Sequence, residues 1–148
     1  MILAALSLLL TDPAQAEPHR FVFLGAGRFA QYADLASLHA DGSGGRIRVF
    51  QVVAPDFRAG GDAYWGGWSW WSFDCHSGTV DRLDFASVRE GGHEGPATPD
   101  PAPAYQAARG GDAFEMLAAA CNPDDYTADA ATLEEAVAHG RANLAALD

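Results

Sequence analysis

The chain has 148 residues, 49% of them hydrophobic, with 16 glycines. That suffices for one domain with a modest core and is too apolar for a disordered chain. Net charge is -11, from 20 acidic residues against 9 basic ones, all of them arginine; such a surface repels phosphate backbones and anionic membranes, which argues against nucleic acid as a partner.

The chain opens on "MILAALSLLL", then Thr11-Asp12-Pro13, then Ala14-Gln15-Ala16. The apolar run is too short to span a bilayer, and a small-x-small triplet after it is what signal peptidase reads. Residues 1–16 are therefore expected to be an export signal cleaved after Ala16. No cation precedes the run, so a Lys- or Arg-bearing stretch is expected upstream. No cysteine follows the cleavage site, so no lipid anchor is expected, and no later segment suits a membrane span.

"RFVFLGAG" (20–27) reads as a strand ended by glycines. Residues 29–33 pair back on it as a hairpin, and "DLASL" reads as a helical turn capped by Asp34. "HADGSGG" is a turn cluster. "RIRVFQVVAP" (46–55) reads as a central strand, apolar on both faces at its end. Arg46 and Arg48, two apart on it, read as solvent-facing. "DFRAGGDAYWGG" is a glycine-rich connection, "WSWWSFDC" (68–75) the next strand, and "TVDRLDFASVREGG" its hairpin partner. That makes five or six strands in meander order with no crossover helix, hence a mainly antiparallel sheet and an α+β fold. Residues 91–104 carry four of the eight prolines and read as a mobile surface loop.

"DAFEMLAAAC" reads as a helix with Asp112 and Glu115 as a capping box and Phe114, Leu117, Ala118 and Cys121 on its inner face. Asn122-Pro123 stops it. From Thr132 a second amphipathic helix carries Leu133, Val137, Gly140, Leu144 and Leu147. The expected organisation is a sheet domain over 17–123 and a helical extension over 124–148.

Cys75 and Cys121 belong to no CxxC pair, and two isolated cysteines are poor zinc ligands. A disulfide fits an exported chain better than two buried thiols. Side chains alternate across a strand. Trp71, Phe73 and Cys75 therefore share one face, while Trp68, Trp70, Ser72 and Asp74 share the other. With Cys75 bonded to Cys121, Trp71 and Phe73 lie under the first helix against Phe114 and Leu117, and Leu83 and Phe85 extend that core. Trp68 and Trp70 then face away. Three readings compete for them: packing under the glycine-rich connection or the final helix, a homodimer interface, or stacking on a ligand such as a sugar.

Three stretches, "FVFLGAGRFAQYADLASL", "RIRVFQVV" and "SFDCHSGTVDRLDFASV", together with the helix-borne cysteine of "FEMLAAAC", resemble the bacterial surface-adhesin E (protein E-like) family over roughly residues 20–121. The resemblance implies an exported antiparallel sheet whose concave face holds a C-terminal helix by a Cys75–Cys121 disulfide, and binding to host surface proteins. The chain departs from the family in having Phe21 where a tryptophan is common, and in continuing past Cys121.

Enzyme motifs are sparse. His19, His39, His76, His93 and His139 form no HxxxH, HExxH or HxH spacing. Cys75 and His76 are adjacent, so they point to opposite faces and form no dyad. "LGAGRFA" is a GxGxxA without a dinucleotide-binding context, and no GxSxG occurs. The expectation is a non-catalytic binding module of the cell envelope, without cofactor or metal, whose partner is an envelope or extracellular protein or a glycan. The alternatives are a self-associating structural protein and a small metallo-hydrolase built on Asp74, His76 and His93.

Overall fold

The computed structural model of the chain describes residues 17–148; the expected export signal and its cleavage site lie outside the described residues. In chain order come β1 (Phe21–Ala26), β2 (Ala30–Asp41), β3 (Gly44–Val52), β4 (Arg58–Ala59), β5 (Asp62–Asp74), β6 (Thr79–Arg82), β7 (Asp84–Arg89), β8 (His93–Glu94), β9 (Thr98–Pro99) and β10 (Tyr105–Gln106). Two helices follow, α1 (Asp112–Cys121) and α2 (Leu133–Ala145). The strands pair antiparallel in the order β1-β2-β3-β5-β6-β10, with β7 beside the first half of β5.

Ten strands exceed the five or six expected, and three local causes account for the difference. Gly60 and Gly61 both have positive φ, 58° and 83°, the conformation of a two-residue hairpin loop. They fold β4 onto β5, so the glycine-rich connection is itself paired. The partner of β5 breaks at Leu83, whose N–H donates to the Trp70 carbonyl while the Asp84 carboxylate accepts from the Trp70 N–H. One expected strand thus becomes β6 and β7. The proline-rich segment is also tied down: β8 and β9 pair with β7, and β10 with β6.

Asp34 caps no helix. It lies within β2, where the register slips between Asp34 and His39. Its carboxylate accepts from the N–H groups of Ala36 (3.1 Å) and Arg20 (2.9 Å) and sits 2.7 Å from His19 Nδ1. Pairing with β1 and β3 on both sides outweighs the local turn preference. The helix caps are also exchanged. The N-cap of α1 is Gly111, with no side-chain cap, and Asp112 instead accepts from Gln31 Nε2. A reciprocal capping box does occur on α2. Thr132 Oγ1 accepts from the Glu135 N–H, and the Glu135 carboxylate accepts from the Thr132 N–H, each at 3.1 Å.

Alternation along the strands splits the apolar residues between two cores. On one face Val22, Ile47, Val49, Phe73 and Val80 pack under Met116, Leu117, Ala119 and Ala120 of α1. On the other Phe21, Tyr32, Phe50, Val52 and Trp68 pack under Ala136 and Val137 of α2. The sheet is thus the middle layer between the helices. The inner stripe of α1 is rotated from the one expected: Met116 and Ala120 join Leu117, and Phe114 stays outside the core. Ala113, Met116, Leu117 and Ala120 also satisfy the i, i+3, i+4, i+7 rule, so the sequence holds two overlapping stripes. Leu147, expected on the α2 stripe, lies past the helix end and is exposed.

Cys75 and Cys121 form the disulfide, with Cα atoms 5.8 Å apart. It joins the residue after β5 to the last residue of α1. At Gly140 a Cβ would come within 3.0 Å of the Val52 side chain, so the glycine lets α2 sit close on β3. The hydroxyl of Tyr32 and Nδ1 of His139 are 2.6 Å apart, a second tie between sheet and α2.

Replacing both cysteines by serine opens a closure of 46 residues. The loss expected is about 4 kcal/mol on the chain-entropy estimate, read from urea unfolding with and without reductant. A change under about 1 kcal/mol contradicts the stapling role. Gly140→Leu is expected to lower stability by about 1–3 kcal/mol in the same assay through overpacking against Val52.

Candidate functional site

The face carrying Trp68 and Trp70 is largely spent on internal contacts. Trp68 is 4% exposed, with its ring 5.0 Å from that of Phe50 and 5.7 Å from that of Phe21. The Arg48 guanidinium lies 4.3 Å from the Trp68 ring and 5.6 Å from the Trp70 ring, and Arg46 stacks over Trp70 at 5.0 Å. The two arginines therefore cover aromatic rings. Arg48 also donates to Glu94 at 2.6 Å.

The face carrying α1 is open at one end. Gln31, Gln51, Gly67 and Ser87 lie opposite one another across β2, β3, β5 and β7, and directly paired residues project to the same side. Beyond α1 this face holds two cavities that share Gln51, of about 340 Å³ and about 240 Å³. Trp71, Arg82, Asp100, Tyr105 and Asp112 line the larger, and Phe29, Val53, Phe57, Tyr64 and Phe85 the smaller. The Gln51 amide has no hydrogen-bond partner among the described residues, although it borders both cavities.

Local chemistry shapes each wall. A Cβ at Gly67 would run into the Phe85 ring, so glycine here lets that ring lie on the sheet. Phe85 is 37% exposed and forms a groove wall; it is not part of the core under α1 as expected. Leu83 sits in the break between β6 and β7, half-buried and outside both cores. Trp71 packs partly against the α1 core and also forms part of the groove floor. Phe57 is exposed and meets Tyr64 edge-on at 6.2 Å.

The opposing wall is the proline-rich segment. It is pinned by Arg82 Nε donating to Asp100 at 2.6 Å and by the Ala102 N–H donating to the same carboxylate at 2.9 Å. The Ala102 N–H, then Arg82, hold the Asp100 carboxyl below its ordinary value. Burial, more than any charge, pushes the Tyr105 phenol up.

Among the described residues no three or more His, Cys, Asp and Glu side chains converge as metal ligands. The Asp74 carboxylate accepts from the N–H groups of Ser77 and His76 and from Ser43 Oγ, which together cap the turn after β5. Those bonds, the Ser77 N–H first, lower its pKa.

Of the groove residues, only Trp71, Phe85 and Asp112 were singled out by sequence, each in another role. Gln31 and Gln51 had a usable signal, since each interrupts an apolar strand, "FAQYA" and "VFQVV". Tyr105 and Phe57 sit in segments that read as loops and carried none.

Fold and site define a disulfide-stapled antiparallel-sheet domain with a helix on each face and an aromatic groove beside one of them. The sequence matches no described protein family and no curated protein. The chain is similar to the crystal structure of protein E from non-typeable Haemophilus influenzae, with 9% identity and a TM-score of 0.48, covering 92% of this chain and 96% of that one. That likeness does not establish membership of the adhesin family the sequence resembles. Among the described residues no helix is long and apolar enough to cross a membrane.

Asp100 is the titratable clasp of the groove wall. Its folded pKa is depressed, so its contribution is present above the ordinary value of 3.8 and is lost as pH falls through the folded value. A carboxyl titration followed by NMR is expected to give a midpoint below 3.8 that moves up in Arg82→Ala. A midpoint at or above 3.8 contradicts the clasp.

Proposed function

We propose that the protein is an exported, non-catalytic binding module of the cell envelope, and that the groove beside α1 is its binding site. The observation that carries this is Gln51: an unpartnered amide on the sheet floor between two aromatic-lined cavities. The amide stands open to solvent, so a ligand that replaces the water there with its own donor and acceptor is favoured over one that cannot. Phe57, Phe85 and Tyr105 around it are 37–47% exposed, and clustered exposed aromatics mark interaction sites. The disulfide supports an oxidising compartment. The carboxylates nearest the groove are already engaged, Asp100 by Arg82 and Asp112 by Gln31, which supports binding over acid–base chemistry. An adhesive role comes from the resemblance noted above.

The test is a protein and glycan array probed with residues 17–148. Any partner retained is expected to bind at least about tenfold more weakly to a Phe57→Ala, Phe85→Ala double variant. Trp70→Ala is expected to bind as the wild type. Unchanged binding by the double variant, with circular dichroism showing it folded, overturns the assignment of the groove. The self-associating alternative draws on the same exposed aromatics, and a monomer at high concentration in sedimentation removes it.

A further inference from the structure

We infer that the groove takes an extended polypeptide segment carrying a large apolar side chain two to four residues from a basic one, an inference that rests on the groove being the binding site. The two cavities differ in chemistry. The smaller, about 240 Å³, is walled by Phe29, Val53, Phe57, Tyr64 and Phe85, with Gln51 and Ser87 the polar residues at its floor. A sugar ring there would find few partners beyond Gln51 and Ser87 for its several hydroxyls, at a cost a hydrocarbon side chain does not meet.

The larger cavity is acidic. Asp100 and Asp112 line it against Arg82, and Arg82 is committed to Asp100 at 2.6 Å; Asp81 borders it through a position paired with Ser72, on the opposite face. Trp71 also lines it, and an indole ring attracts a guanidinium or ammonium group. The chain's net charge of -11 adds to the attraction for a cation.

Gln51 lies where the two cavities meet. A side-chain amide presents one acceptor and two donor hydrogens, the complement of a peptide unit. An acyl chain or a lone amine leaves those groups unused.

The spacing follows from β5. Gly67 and Trp71 are on one strand and one face, four residues apart, which is about 13 Å at ~3.3 Å per residue. A long basic side chain shortens the span an extended ligand must cover, which gives the interval of two to four residues. Strand addition at β7 is not the recognition mode, because β8 and β9 already pair with it.

The test selects phage-displayed linear heptapeptides on residues 17–148 and then measures the synthetic peptide acetyl-GFGGRG-amide and chitohexaose by NMR on the 15N-labelled protein. The expected result is enrichment of aromatic or aliphatic residues two to four positions from Arg or Lys. The peptide is expected to shift the Gln51 side-chain amide and the Trp71 indole. Asp112→Asn, which is isosteric, is expected to weaken the selected peptides about two- to fivefold. Phe57→Ala, at an exposed position, is expected to weaken them about tenfold. Enrichment of acidic peptides, or of peptides without the apolar residue, overturns the inference. Chitohexaose shifting Gln51 and Trp71 while the peptide does not overturns the peptide but keeps the groove as the site. Selected peptides that ignore both substitutions and shift Trp70 instead overturn the inference and the groove together.

Discussion

The bond from Cys75 to Cys121 decides which part of the sheet α1 can cover. It holds the last residue of α1 at one end of β5, so α1 packs over β1, β2 and β3 and leaves the β5–β7 side of that face open. The opposite end of α1, nine residues away and thus about 14 Å distant, has no covalent tie. It is held to β2 through Asp112 and Gln31. One end of the groove wall is thus rigid and the other rests on a polar contact at the cavity rim.

The long strand β5 is the common member of both cores and of the groove. Its four tryptophans, which share a short stretch of sequence, have separate occupations. Trp68 fills the core under α2, and Trp65 packs at that core's margin. Trp70 is covered by Arg46 and Arg48, and Trp71 floors the groove. Alternation along one strand distributes them, so closeness in sequence says little about shared purpose.

Much of the architecture was legible in the residues. The antiparallel order, the disulfide pairing and the span of α1 follow from turn residues, periodicity and two lone cysteines. What was not legible depended on tertiary context. Asp34 has the chemistry of a cap, and it does accept from nearby N–H groups, but β1 and β3 on either side keep it in a strand. Phe85 has the spacing of a core residue; its ring instead lies over Gly67 because that position has no side chain. Phe114 belongs to one of two equally regular stripes on α1, and only packing against the sheet chooses between them. The groove itself was invisible because its walls come from segments distant in sequence, at Phe57, Phe85 and Tyr105. Gln31 and Gln51, amides inside otherwise apolar strands, are its trace in the sequence.

The position of α2 in the chain has a consequence for the order of events during folding. Every strand of the sheet precedes it, and the face bearing Tyr32, Phe50, Val52 and Trp68 awaits a cover carried at Leu133–Ala145. A chain folded as far as Cys121 can close and cross-link its first core, yet still presents a broad greasy flank to water. Completion is therefore a single late step, and a polypeptide halted before it is a natural client for chaperones.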